Sequence, residues 1–217
     1  MNQIAAINGS PKTKDSVSEM LLTKIENILE TKVTVYQATK LLDQDGISNI
    51  LSDILKTKRL LIVFPIYVDS LPAPLIKLLT MIEQEAANTN GGLPTVYAVC
   101  NCGFYEADHT RIALNIIRNF AIKSGLSWGY GIGIGSGGMI LSQSKNMSRG
   151  PMADVYAALQ ELGSAIKEGD SKGDNVFVTP KIPRFLYKLG GNIGWFWMIR
   201  KYGTWKSLGA KPHRDLF

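Results

Sequence analysis

The sequence predicts an α/β protein: a three-layer α/β/α sandwich on a five-stranded parallel sheet, followed by a basic, aromatic C-terminal extension. Three observations predict it. Short apolar runs alternate about five times with segments whose apolar residues recur at helical spacing, the pattern of right-handed crossovers in a parallel sheet. The run Leu60-Leu61-Ile62-Val63-Phe64 is continuously apolar, as a strand covered on both faces must be. With 217 residues, 45% hydrophobic and 19% charged, the chain can bury one substantial core.

Ile4-Ala5-Ala6-Ile7 reads as the first buried strand, and Met20, Leu21, Ile25, Ile28 and Leu29 as one face of the helix after it. Residues 32–36 form a second strand, Asp43-Gln44-Asp45-Gly46 a loop, and Ile47, Ile50, Leu51, Ile54 and Leu55 a second helical face. The third strand, residues 59–64, stops at Pro65. Pro74 suits the first turn of a helix that buries Leu75, Leu78, Leu79 and Ile82. After Asn90-Gly91-Gly92, residues 95–100 form the fourth strand, and residues 112–122 a helix with Ile112, Ile116 and Phe120 inward and Ile117 as a further candidate. Residues 128–134 are a fifth, glycine-weakened strand, and residues 135–151 a loop rich in Gly and Ser. A helix over residues 154–167 closes the body through Val155, Leu159, Leu162 and Ile166. The polar, glycine-containing stretch 169–175 divides a body, residues 1–170, from an extension, residues 171–217.

In such a sheet, ligands bind beyond the carboxyl ends of the strands at a topological switch point. Three loops should converge there. The first runs from Asn8 to Ser18 and ends at a helix N-terminus, where free amides carry a partial positive charge. With the hydroxyls of Ser10, Ser16 and Ser18 and the Lys12 ammonium, it suits a phosphate. The second, Pro65-Ile66-Tyr67-Val68-Asp69-Ser70, offers an aromatic and backbone groups to a flat ring. The third, Asn101-Cys102-Gly103-Phe104-Tyr105, offers a glycine for close approach. A phosphate at one end and a planar, partly polar ring at the other describe a mononucleotide such as FMN.

Two other features carry less. Gly133-Ile134-Gly135-Ser136-Gly137-Gly138 matches a dinucleotide fingerprint in form, but the helix and following acidic residue that fingerprint needs are missing. It is read as a loop near the ring or at a subunit contact. Cys100 and Cys102 are too close to bridge without strain and too few for a zinc or iron–sulfur site, so no metal is expected. Cys102 could be exposed in its loop, but no base or cation beside it points to a catalytic thiolate. Asp108 and His109 are expected to open the next helix.

The string Asn8-Gly9-Ser10-Pro11-Lys12, with Ser16 and Ser18, together with Pro65-Ile66-Tyr67-Val68-Asp69-Ser70-Leu71-Pro72-Ala73-Pro74-Leu75-Ile76-Lys77, resembles the NAD(P)H-dependent FMN reductases and related flavodoxin-like flavoproteins over roughly the first 170 residues. The resemblance implies a flavodoxin-like fold with FMN at the switch point. Ser10, Lys12, Ser16, Val17 and Ser18 would hold the phosphate. Pro65, Ile66, Tyr67, Val68, Asp69 and Ser70 would border the isoalloxazine, and Asn101, Cys102, Gly103 and Phe104 its other flank. It further implies an enzyme taking electrons from NAD(P)H as co-substrate to a quinone, flavin, nitro or azo compound or metal, as a homodimer or tetramer. No catalytic side chain is singled out, because hydride transfer to a flavin requires none. Lys12 stands where many members carry Arg, supplying charge without a bidentate fork, and the cysteine run of iron–sulfur members is absent. The rival reading is a non-enzymatic electron carrier docked through its basic tail.

That tail concentrates the charge. Against an overall +6, residues 181–217 hold eight cations and one acid, Asp215, which leaves the body near neutral and argues against a nucleic-acid partner. Three of the four tryptophans lie there with Phe185, Tyr187 and Phe196. Packing on the domain itself or on another subunit is the favoured reading, including a lid over the site. A membrane-surface segment is weaker, because Gly190, Gly191 and Gly194 interrupt the helix it wants. No apolar run reaches a membrane span and no secretory signal is visible, so a cytoplasmic protein is expected.

Overall fold

A computed structural model describes residues 3–171, 173–200 and 203, Met198 by its backbone only. Lys201, Tyr202, Trp205, Lys206, Lys211, His213, Arg214 and Asp215 of the tail lie outside the described residues. The chain divides into two compact units, residues 1–181 and 182–217.

In the first unit the order is β1 (Ile4–Asn8), α1 (Val17–Leu29), β2 (Thr34–Gln37), α2 (Ala38–Leu42), α3 (Ile47–Leu55), β3 (Arg59–Pro65), α4 (Ala73–Ala87), β4 (Thr95–Asn101), α5 (Arg111–Lys123), β5 (Ser127–Ile134), α6 (Gly137–Ile140), α7 (Ala153–Glu168) and β6 (Val176–Val178). The sheet is parallel throughout, in the order β2-β1-β3-β4-β5-β6. The first five strands follow the flavodoxin-like order, with the reversal between β1 and β3. The expected five strands are corrected to six among the described residues: β6 extends the edge beside β5, pairing Ile132 with Val176, Gly133 with Phe177 and Ile134 with Val178. A β-carbon on Gly133 would lie 2.8 Å from the Phe177 ring, so the bare glycine gives that ring its seat. Arg111 covers it, 4.3 Å from the centroid.

Alternation along the inner strands sends side chains to two cores. Ala5, Ile7, Leu60, Ile62, Phe64, Val96 and Ala98 meet α2, α3, α4 and α5. Ile4, Ala6, Leu61, Val63, Tyr97 and Val99 meet α1 and α7. Each fully buried aliphatic side chain contributes about 1.5–3 kcal/mol. The inward residues expected of α1, α3, α4 and α7 are buried or pack on these cores. Helix α5 is the exception in part: Phe120 and Ile117 are buried as expected, but Ile112 is 63% and Ile116 38% exposed, and Ala113, Leu114 and Ala121 face the sheet in their place. Gly131 explains the rotation. A β-carbon there would sit 2.8 Å from Leu114 Cδ2, so the missing side chain on β5 lets Leu114 turn in. Residues 135–151, expected as loop, hold α6 and short 3-10 turns at Ser144–Asn146 and Gly150–Met152.

In the second unit, α8 (Arg184–Ile199) runs through Gly190, Gly191 and Gly194, the glycines expected to interrupt it. Among the described residues, no helix is long and apolar enough to cross a membrane.

Candidate functional site

The loop after β1 is fixed before any ligand arrives. Ser10 N donates to Asn8 Oδ1 at 3.0 Å, and Lys12 N to Ser10 Oγ at 3.2 Å. Gln37 Nε2, at the end of β2, donates to the Ser10 and Lys12 carbonyls. Gly9 N reaches Val63 O on β3 at 2.8 Å. Ser16 caps α1: it is extended, and its Oγ accepts from Glu19 N at 3.0 Å. The amides of Val17 and Ser18, in the first turn, have no intrahelical acceptor.

The loop after β3 is anchored by Ile66 N on Asn101 O, 2.9 Å. Tyr67 and Ser70 close a two-residue hairpin, with Val68 at φ +49° and Asp69 at +61°, the signs of a type I′ turn. A branched valine is strained there, and Val68 is 98% exposed, so packing does not compensate. Val68→Asn, which tolerates the left-handed region, should stabilise the fold by about 1 kcal/mol. Thermal unfolding should show a Tm about 2–4 °C higher.

The loop after β4 is clasped to the one after β5. Cys102 N donates to Ile134 O at 3.0 Å, Gly137 N to Cys102 O at 2.7 Å, and Ser136 N to Phe104 O at 2.6 Å. Ser136 Oγ donates to Tyr105 O at 3.1 Å.

These loops enclose a cavity of about 300 Å3 at the carboxyl ends of the inner strands, lined by Ser10, Lys12, Ser16, Val17, Ser18, Pro65, Ile66, Tyr67, Asn101 and Gly103. Gly137, Gly138 and Leu141 complete the wall. The glycine run that holds Gly137 and Gly138 is the one read from the sequence as a loop near the ring or at a subunit contact; Leu141 had no such signal. Val68, Asp69, Ser70, Cys102 and Phe104 do not line the cavity. Val68 and Asp69 form the hairpin tip and Ser70 its closing residue. Phe104 lies against His109, ring centroids 4.4 Å apart. Asp108 and His109 lie in a 3-10 turn, Ala107–Thr110, that leads into α5.

Cys102 is buried rather than exposed, its thiol directed at the carbonyls of Phe104 and Glu106. Burial pushes that thiol up from the ordinary 9.0 to about 11. A backbone hydrogen bond at Phe104 works in the opposite direction, and the Glu106 and Asp69 carboxylates add to the rise. It is no thiolate at neutral pH. The unfolded chain gives up this proton first, so native stability is full below about pH 9 and falls as pH rises towards about 11. Stability curves at increasing pH, with thiolate absorbance, should place the loss in that window; Cys102→Ala should lessen it.

Two polar atoms in the cavity wall are buried without a hydrogen-bond partner: Ser18 Oγ and Asn101 Oδ1. Leaving such a group unsatisfied costs about 1–3 kcal/mol. The wall's chemistry is divided. Serines, helix amides and a lysine come from the loop after β1 and the start of α1; Pro65, Ile66 and Tyr67 come from the loop after β3, Asn101 from β4 and Leu141 from the segment after β5. Among the described residues, no group of three or more His, Cys, Asp or Glu could hold a metal ion.

No protein-family model matches this chain, and no curated protein matches it in sequence. Solved structures do share its fold. The apo form of an NADH:FMN oxidoreductase has 16% identity and a TM-score of 0.57, over 78% of this chain and 90% of that one. General stress protein 14 from Treponema denticola, in complex with FMN, has 12% identity and a TM-score of 0.52, over 75% and 99%. Rubredoxin oxygen:oxidoreductase from Desulfovibrio gigas has 9% identity and a TM-score of 0.52; the match covers 76% of this chain and only 35% of that protein.

Proposed function

We propose that this chain is an FMN-dependent oxidoreductase that takes electrons from NAD(P)H and passes them to a small-molecule acceptor such as a quinone, flavin, or nitro or azo compound. The observation that carries the reading is the cavity wall, which holds two unpaired polar atoms, the Ser18 hydroxyl at the α1 N-terminus and the Asn101 oxygen at the end of β4. The residues fit the group. The Ser18 hydroxyl and the Val17 and Ser18 amides donate to phosphate oxygens, Ser10 and Ser16 flank them, and Lys12 supplies a screened positive charge. Pro65, Ile66 and Tyr67 bound one side of a ring and Asn101 and Gly103 the other. A β-carbon on Gly103 would meet nothing within 4 Å, so no protein neighbour requires glycine there, and the open space leaves room for a ligand to approach.

FMN, when bound, supplies the hydride and single-electron chemistry. The protein's part is to hold it, orient it and keep water from one side. No wall residue is a histidine, cysteine or carboxylate, in keeping with a site that binds rather than shuttles protons. The fold relatives, an NADH:FMN oxidoreductase and a protein in complex with FMN, accord with this reading.

The test is direct. Saturating FMN, at about a hundred times its Kd, should stabilise the protein by about 2.7 kcal/mol and raise Tm by about 5–10 °C. The purified protein should show flavin absorbance, and NADH or NADPH oxidation should be rapid with quinones. An unmoved Tm removes the cofactor; flavin binding without nicotinamide oxidation leaves an electron carrier.

A further inference from the structure

The second unit carries the feature that the proposed redox site does not use. Helix α8 is only 16 residues long, with three glycines inside it, each of which weakens a helix in water. Yet Phe185 is 68%, Leu189 52%, Ile193 48% and Trp197 71% exposed. Phe185, Leu189, Ile193 and Phe196 follow one another at i, i+4, i+8 and i+11 and so share a face, with Leu186 and Trp197 beside them. A second stripe, Arg184, Lys188 and Asn192, runs along one border of that face at the same spacing. Gly191 and Gly194 fall on the opposite side with Tyr187 and Trp195, and Gly190 borders the apolar face beside Trp197.

Charge decides what could cover such a face. Between Asp174 and Asp215 the sequence has no acidic residue, while Lys181, Arg184, Lys188, Arg200, Lys201, Lys206, Lys211 and Arg214 are cationic. A protein surface complementary to this would have to be both apolar and acidic. An anionic bilayer offers both in layers: acyl chains below, phosphates at the level of the cations. Tryptophan and phenylalanine flanked by Lys and Arg suit that boundary. The helix cannot cross it, being too short and interrupted by charge.

We infer that α8 is an interfacial helix that docks this protein onto an anionic lipid bilayer. Phe185, Leu186, Leu189, Ile193, Phe196 and Trp197 enter the boundary between headgroups and acyl chains. Arg184 and Lys188 reach the lipid phosphates, and the side of Gly191 and Gly194 is turned away from the acyl chains, with Tyr187 and Trp195 left at headgroup level.

The experiment uses the full chain with vesicles of phosphatidylcholine alone and of phosphatidylcholine with phosphatidylglycerol, read by flotation and tryptophan emission. Uptake is expected on the anionic vesicles, with a blue shift, and it should weaken as salt is raised. Arg184→Glu with Lys188→Glu should lower the partition coefficient at least roughly thirtyfold, from two lost cations alone. Leu189→Asp with Ile193→Asp should abolish the blue shift while the main thermal transition stays in place. The inference is overturned if anionic vesicles take up no protein. It is overturned equally if the Leu189→Asp, Ile193→Asp protein binds them as well as the parent does, which would leave attraction by the other cations alone. It also fails if that pair of substitutions abolishes a concentration-dependent self-association while the parent ignores vesicles, because the face would then belong to a second copy.

Discussion

Ser16→Asp is expected to fold like the parent and to bind FMN about a thousandfold more weakly. Aspartate caps helices about as well as serine, and a carboxylate at the start of α1 also favours the helix dipole. The cap on Glu19 N, now 3.0 Å from Ser16 Oγ, can therefore be kept. The same carboxylate would stand in the cavity wall, where the proposal seats a phosphate. Two unit charges about 4 Å apart repel by about 4 kcal/mol at the screening usual near a protein surface, which is roughly three decades in Kd. Titration of flavin fluorescence measures the affinity, and circular dichroism and Tm without FMN report the fold. A Kd within threefold of the parent would show that no phosphate sits beside this cap.

Gly135→Ala should produce the largest loss of stability, about 3 kcal/mol, and a Tm fall of about 6–12 °C. The β-carbon would stand 2.7 Å from Ala107 N and 2.9 Å from the Glu106 carbonyl carbon, and closer still to Tyr105 O. These are backbone atoms and cannot swing aside as a side-chain tip can. The displaced segment is the one Ser136 holds through Phe104 and Tyr105, and it continues into Gly103 and Asn101 of the cavity wall. FMN affinity should fall with stability. Gly92→Ala is the control: its β-carbon meets nothing within 4 Å, and its Tm should stay within about 2 °C.

The fold was legible where one period dominated. Residues 59–64 could only be a strand covered twice, and Leu75, Leu78, Leu79 and Ile82 could only be one face of a helix. The three converging loops followed from strand direction alone, and ten of the residues named on them do line a single cavity. What escaped had a common cause: partners distant in sequence. Val176-Phe177-Val178 is too short to carry a period, and it is a strand because Gly133 leaves room for Phe177. The inward turn of Leu114 depends on Gly131, which no helical wheel of α5 contains. Gly137 and Gly138 were legible only as part of a flexible loop near the ring or a subunit contact, and that loop is tied down by the Cys102 and Phe104 carbonyls. Helix α8 escaped for a different reason. Glycine lowers helix propensity by about 1 kcal/mol a residue, a bias that tertiary or lipid surroundings can outweigh.

The three-residue strand β6 has a bearing on assembly. Together with the four-residue β2 it forms the two outer margins of the sheet. Margins so short give an incoming strand little to template on, which is one way proteins discourage sideways growth into ribbons or fibrils. Association of copies edge to edge into a shared sheet is therefore disfavoured at both margins.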